Sequence, residues 1–190
     1  MLVFLLALFS QFTLKVNAVK NPVQYTISSG IHSFYAPVEN LKWDNPAFAV
    51  SAGINKILGK KRFFSVGFQA EFAPQTYQGN ATSLQLLGQF TPVVFKNVEL
   101  GIGTGAGYRF SGYTSKTLQW NENTWEEGKK FKGIVQIPVQ FSAGFRSIQF
   151  SSLGVIPFVA YQMKAMFGYN PDFDPLPDSS IMFGFKFSIQ

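Results

Sequence analysis

Apolar and polar residues alternate along most of the chain with a period of two, which is the pattern of β-strands. In residues 180–190 five large apolar side chains occupy alternate positions, namely Ile181, Phe183, Phe185, Phe187 and Ile189. No helical period is convincing after residue 20. The alternation predicts eight strands over 23–35, 46–57, 62–73, 82–91, 98–110, 133–146, 155–167 and 180–190.

The connections between these strands alternate in length. Short links are expected at 58–61, 92–97 and 147–154, and mostly longer, polar links at 36–45, 74–81, 111–132 and 168–179. Short turns at one end and long loops at the other are typical of bacterial outer-membrane barrels, and about 9–11 tilted residues span a bilayer. The pattern therefore predicts an all-β fold, an eight-stranded antiparallel up-and-down transmembrane β-barrel.

Composition favours a lipid-covered surface over a soluble one. Charged residues make up 14% of the chain and aromatic residues 17%, whereas an average globular domain is roughly 25% charged. The chain has no Cys and one His, which excludes a disulfide scaffold and argues against metal sites and cofactors. The net charge of +6 is scattered rather than clustered, so no nucleic-acid partner is expected.

A soluble barrel would turn its apolar face inward, whereas a membrane barrel turns it outward. Here the apolar face carries no charge in mid-strand, and a charge facing lipid costs about 2–4 kcal/mol. The apolar face is therefore expected to contact outer-membrane lipids, and we expect six side chains in particular to face outward: Val135, Ile137, Val139, Phe183, Phe185 and Phe187.

The N-terminus resembles a secretory leader. Residues 2–9 form a short apolar core, and a polar stretch then ends in Val16-Asn17-Ala18, a small-residue cleavage pattern. We expect a signal peptide over 1–18 and a mature barrel over 19–190, exported to the cell outer membrane of a Gram-negative bacterium. The alternative is a buried N-terminal strand.

Charge divides between the two ends of the proposed barrel. Eight of the ten acidic residues fall in the long links: Glu39, Asp44, Glu122, Glu126, Glu127, Asp172, Asp174 and Asp178. The short-link end instead carries only cations: Lys20, Lys56, Lys60, Lys61, Arg62 and Lys96. Trp43, Trp120 and Trp125 also fall in the long links and are candidate loop-binding residues, with the membrane interface as the alternative location.

Six charged residues share the inward parity: Glu71, Glu99, Arg109, Arg146, Lys164 and Lys186. Unpaired charges in a narrow interior would cost several kcal/mol each, so an ion-pair network is expected. Glu99 and Arg146 fall at the same level of neighbouring strands and should form a salt bridge. Glu71 should pair with Arg109, Lys164 or both, leaving a surplus of two positive charges.

Other motifs have simpler explanations. Gly101, Gly103, Gly105 and Gly107 alternate along one strand, so they make room for large side chains instead of forming a phosphate loop. His32 permits a hydrolase hypothesis, but Ser33 should point to the opposite face. Asp172, Asp174 and Asp178 lack calcium-loop spacing. Pro138 interrupts its strand and is tolerated only if it forms a bulge.

The chain resembles the small outer-membrane β-barrel proteins common in Bacteroidota. The resemblance rests on the leader ending in Val16-Asn17-Ala18, the strand Gly101–Tyr108 and the aromatic strand Phe183–Phe187. It implies an outer-membrane barrel across the mature chain and names no single activity. The final residues Ser188-Ile189-Gln190 depart from the terminal aromatic residue that many such barrels carry.

These observations predict a non-enzymatic barrel with a structural or binding role. It would act through its extracellular loops or as an accessory subunit of a larger membrane complex. The first alternative is a lipid-modifying hydrolase built on the same barrel. The second is a narrow, porin-like pore, although side chains just fill the interior of an eight-stranded barrel.

Overall fold

The computed structural model describes residues 23–33, 46–59, 61–74, 80–112, 118–121, 123–128, 130–146, 148–150, 153–168 and 174–189. The described residues form eight long strands: β1 (Val23–Ser33), β2 (Ala47–Leu58), β3 (Phe64–Ala73), β4 (Asn80–Phe90), β6 (Val98–Gly112), β9 (Phe131–Phe145), β11 (Leu153–Phe167) and β12 (Leu176–Ile189). Four short strands are β5 (Val93–Phe95), β7 (Leu118–Asn121), β8 (Thr124–Glu127) and β10 (Ile148–Phe150). No helix in these segments is long and apolar enough to cross a membrane.

The eight long strands form a closed antiparallel barrel. Each pairs with its neighbour in chain order, and the sheet closes where β1 pairs with β12, with Ile27 opposite Phe185. The prediction of an all-β, eight-stranded up-and-down barrel is confirmed. Closure leaves no long strand with an unpaired edge, so the backbone hydrogen bonds are satisfied within the sheet.

The four short strands lie in segments that were expected to be connections between the long strands. β5 and β10 extend the sheet at the short-turn end, where they pair with β6 and β11. β7 and β8 form a hairpin within the long 111–132 connection, and Trp120 and Trp125 occupy opposite positions in it. Residues 1–18, where a leader is expected, and Trp43 lie outside the described residues.

The two faces of the barrel wall are arranged as the alternation predicts. Val135, Ile137, Phe183 and Phe185 all point outward, and Phe183 is 62% exposed. Val139 and Phe187 share that parity and are half-buried. Polar side chains with the opposite parity are enclosed by the barrel, which makes its interior polar and its outer belt apolar.

Pro138 does not form the expected bulge. Thr104 opposite Val139 and Gly107 opposite Gln136 keep one register on both sides of it. The β6–β9 ladder is interrupted only between these two pairs, where Pro138 has no N–H to donate. The Thr104 hydroxyl donates to the Pro138 carbonyl at 3.0 Å. Strand β9 therefore passes through the proline without an inserted residue.

Candidate functional site

The barrel interior holds two separate groups of buried charges. We call Glu99, Arg146 and Lys186 the short-turn cluster, because they lie at the end where the short links join the strands. We call His32, Glu71, Arg109, Lys164 and Asp178 the long-loop cluster, at the opposite end. Every member except Arg146 is at most 5% exposed.

The short-turn cluster is built around one carboxylate. The Arg146 Nε donates to Glu99 Oε2 at 2.6 Å, and the Lys186 Nζ donates to the other oxygen of the same carboxylate. Gly144 faces Glu99 across the β6–β9 ladder, and a Cβ there would lie 3.0 Å from the Glu99 Cγ. A glycine at this position therefore makes room for the acid and its two cations.

The long-loop cluster contains two acids and two cations besides His32. The Asp178 Oδ2 accepts a hydrogen bond from the Arg109 Nη1 at 2.8 Å and lies 3.9 Å from the Lys164 Nζ. Lys164 also donates to Glu71. The His32 Nδ1 lies 3.6 Å from the Asp178 Oδ1. With a neutral imidazole the cluster has no net charge, which reduces the cost of burying it.

Asp178 corrects the sequence analysis. It was expected in the solvated 168–179 link, but β12 begins at Leu176 and the Asp178 carboxylate is 0% exposed inside the barrel. Its parity matches that of Lys186, which is the signal that could have identified it. Pro175 and Pro177 obscure this signal, because proline is rare inside strands. With Asp178 included, the described part of the interior has three acids against four permanent cations, so the surplus is one charge and not two.

The structure brings together some of the expected pairs and separates others. Glu99 and Arg146 form a salt bridge, and Glu71 pairs with Lys164. Arg109 pairs with Asp178 instead of Glu71. Lys186, which had no assigned partner, joins Glu99 across the interior.

An uncharged polar layer separates the two clusters. The Gln162 amide donates to the carbonyl oxygens of Gln85 and Gln140 at 3.0 and 3.3 Å. The hydroxyls of Ser28 and Ser51 are 2.7 Å apart. The cavity remaining in this layer is about 20 Å³, which is room for about one water molecule. At this level the described interior is therefore closely packed.

An apolar cluster lies beyond the long-loop cluster, one step closer to the long loops. Ile134, Met166 and Leu176 are in mutual contact and at most 8% exposed. Met166 follows Lys164 on the inward face of β11, and Leu176 precedes Asp178 on that of β12. These side chains cover the buried charges from the long-loop end.

The glycines of β6 accommodate the polar layer. A Cβ at Gly107 would lie 2.9 Å from the Leu84 carbonyl oxygen and 3.0 Å from the Gln136 Nε2. Gly107→Val is expected to lower the free energy of unfolding by about 1–3 kcal/mol, because overpacking displaces these neighbours. Urea unfolding in detergent micelles measures this change. Gly88→Val is the matched control, since a Cβ at outward-facing Gly88 would meet only the Thr104 oxygen, at 3.8 Å. Equal midpoints for the two variants would contradict the prediction.

The residues of the hydrolase and calcium hypotheses lie in different surroundings. His32 and Ser33 are both fully buried, so a lipid substrate has no direct approach to them in the described structure. Asp174 is exposed and accepts a hydrogen bond from the Gly168 backbone N–H, away from buried Asp178, and Asp172 lies outside the described residues. Within the described segments no three His, Asp or Glu side chains form a candidate metal site.

No family model and no curated protein matches the sequence. Solved structures do share the fold. Neisserial surface protein A matches with a TM-score of 0.56 and 8% identity, covering 87% of this chain and 94% of that one. Ail, the attachment invasion locus protein of Yersinia pestis, matches with a TM-score of 0.56 and 9% identity, covering 90% and 100%. The N-terminal β-barrel domain of Pseudomonas aeruginosa OprF matches with a TM-score of 0.54 and 6% identity, covering 87% and 97%. At these identities the likeness shows that the chain has the fold of small outer-membrane β-barrels.

Proposed function

We propose that this protein is a non-enzymatic, non-conducting outer-membrane β-barrel that binds a partner through its extracellular loops. The observation that carries the proposal is the packed interior, in which two charge clusters flank an amide layer whose cavity is about 20 Å³. An interior of this kind supports a scaffold role better than a transport or catalytic role. The loops at the long-loop end then provide the binding surface.

The membrane placement is supported by the apolar outer belt and the interior charges. Contact between the exposed aromatic side chains and water is unfavourable, whereas lipid around the barrel would cover them. The cleavable leader over 1–18 and the narrower resemblance to Bacteroidota proteins are parts of the same proposal.

Export is tested by fractionating cells that express the full chain. The expected result is recovery in the outer membrane with Val19 as the mature N-terminus, because a leader of this kind is removed after Ala18. N-terminal sequencing of the membrane fraction makes the measurement. A mature protein that still begins at Met1 would contradict the leader assignment, and recovery in the soluble fraction would contradict the membrane placement.

The charge of the long links narrows the class of partner. Residues 34–46, 74–79, 113–130 and 168–175 together contain seven acids and four lysines. One structural neighbour, Ail, has been solved in complex with a heparin analogue, sucrose octasulfate. The acidic excess here favours a neutral or cationic partner over a sulfated sugar, because opposite charges steer association. Trp43, Trp120 and Trp125 are the candidate contact residues.

The loop role is tested by replacing residues 113–130 with a short Gly-Asn-Gly turn and repeating a crosslinked pull-down from solubilised outer membranes. Partner capture should fall at least tenfold while the barrel stays folded, as judged by heat-modifiable gel migration. Replacing the short turn 59–61 with the same sequence is the control and should leave capture unchanged. If the loop variant captures the same partner as wild type, residues 113–130 are not the binding surface, and the contact role proposed for Trp120 and Trp125 is wrong.

The plugged interior predicts the absence of channels. Purified wild-type barrels in planar bilayers should give no steps above baseline, because two ion-pair clusters and an apolar cluster fill the described interior. Single-channel recording measures this, with a general porin as positive control. Reproducible conductance steps that require this protein would overturn the non-conducting assignment.

A further inference from the structure

An open groove of about 510 Å³ lies on the outer wall in the short-turn half of the barrel. Leu58, Phe64, Phe90 and Ile102 line it from β2, β3, β4 and β6. Gly88 forms part of its floor, and a Cβ there would find only the Thr104 oxygen within 4 Å. The depth of the groove therefore depends on the missing side chain at position 88.

Aromatic rings mark the end of this groove. The rings of Phe64 and Phe90 are 4.9 Å apart, and those of Phe63 and Phe90 are 6.1 Å apart in an edge-to-face arrangement. Aromatic girdles of membrane barrels lie at the level where acyl chains meet headgroups. The short-turn end of the groove thus falls at headgroup level.

Cations surround that end. Lys61 is exposed in the turn that joins two residues of the groove, Leu58 and Phe64. Lys56 is exposed on the outer face, directly opposite groove-lining Val66. Lys96 is exposed in the next turn along the sheet, and the backbone N–H of Thr91 links the two turns by donating to the Phe63 carbonyl at 2.6 Å.

The two chain segments that carry these cations contain no acidic residue. The sequence has Lys56, Lys60, Lys61 and Arg62 within residues 56–63, and neither that stretch nor residues 91–97 contains an Asp or Glu. The larger groove on the other half of the wall provides a contrast. It has about 560 Å³ and is lined by Ile27, Ala52, Ala70 and Phe183 among others, with the acid Glu71. The lining of the short-turn groove has no acid, and its cations lie beside the groove rather than in the lining.

We propose that the short-turn groove binds one phospholipid with an anionic headgroup, taken from the leaflet at the short-turn end. An acyl chain lies over Gly88, and Lys56, Lys61 and Lys96 bind the phosphate. A net-negative headgroup is preferred because the ammonium of a zwitterionic headgroup offsets its phosphate. The inference rests on the proposed membrane placement and adds a lipid class and a position to it.

Native mass spectrometry of the folded barrel tests the site, with phosphatidylglycerol or phosphatidylcholine added to the micelles. Wild type should retain one phosphatidylglycerol and little phosphatidylcholine. Lys61→Gln and Lys96→Gln should each weaken phosphatidylglycerol retention about fivefold, the usual effect of one cation at an anionic membrane surface. Gly88→Leu should weaken retention of the same lipid by filling the groove.

Two variants are matched controls. Lys130→Gln removes an exposed lysine near the long loops, and Ala70→Leu fills the larger groove, which has no cation in its lining, so neither should change phosphatidylglycerol retention. Equal retention of the two lipids by wild type, or equal losses in Lys130→Gln and Lys61→Gln, would overturn the proposal. Gel migration confirms that every variant is folded, so these outcomes concern the lipid site alone. Failure of the membrane placement is recognised separately, by recovery of the protein in the soluble fraction of cells.

Discussion

Asp178→Asn is expected to lower the free energy of unfolding by about 3–5 kcal/mol, the usual cost of removing one partner from a buried ion pair. The Asp178 carboxylate faces Arg109 at 2.8 Å and Lys164 at 3.9 Å, and all three side chains are at most 1% exposed. Without it, Glu71 alone would balance two buried cations. Urea unfolding of the barrel in lipid vesicles, followed by heat-modifiable gel migration, measures the change.

A matched control distinguishes the effect of removing a buried carboxylate from the effect of removing an exposed carboxylate in the same segment. Asp174→Asn removes an exposed carboxylate four residues away, which should change stability by no more than about 0.5 kcal/mol. The double variant Asp178→Asn with Arg109→Gln restores the charge balance and should recover part of the loss. If Asp178→Asn unfolds at the wild-type urea concentration, the long-loop cluster does not stabilise the barrel.

The strand pattern could be predicted from sequence because the two faces of this wall meet opposite surroundings. Ile181, Phe183 and Phe185 must avoid water, whereas Met182 and Lys186 on the other face must fit a narrow interior. A shift of one residue would exchange the two sets, so alternation fixes which face is which. Closure between β1 and β12 then follows from the number of strands.

Strand ends were harder to predict, because residue types that usually mark loops also occur inside the strands of this barrel. Pro175 and Pro177 indicated a loop, yet Pro177 lies within β12 opposite Ala165. Its missing N–H removes one hydrogen bond without changing the direction of the strand. Pro138 in β9 shows the same tolerance. In both places hydrogen bonds from the neighbouring residues keep the register, although the proline has no N–H to donate.

Ion pairs between neighbouring strands could be predicted from the sequence. For pairs across the interior, the sequence only reduced the number of possible partners of each charged residue. Glu99 lies in β6 and Arg146 directly follows the end of β9, so the hairpin register brings them together. Lys164 and Glu71 belong to β11 and β3, which share no ladder. Their contact depends on side-chain length and barrel diameter. Strand parity and approximate height reduce the choice of partner without selecting one.

Glu99→Gln is the second large change, with an expected loss of about 3 kcal/mol. It removes the only carboxylate of the short-turn cluster and leaves two cations that differ in their access to water. Arg146 is 30% exposed and can turn toward solvent, whereas Lys186 is 5% exposed and enclosed by the barrel. Most of the destabilisation should therefore come from Lys186.

This difference makes the expected rescue specific. Adding Lys186→Met to Glu99→Gln should recover most of the lost stability, because a well-packed apolar side chain can replace a buried charge. Adding Arg146→Gln should recover little, since Arg146 already has access to solvent. Glu127→Gln, which removes an exposed acid on β8, is the control and should have almost no effect. The measurement is the urea midpoint of each variant in lipid vesicles. Equal rescue by the two second-site changes would show that the cations are equivalent, and a wild-type midpoint for Glu99→Gln would show that the cluster contributes no stability.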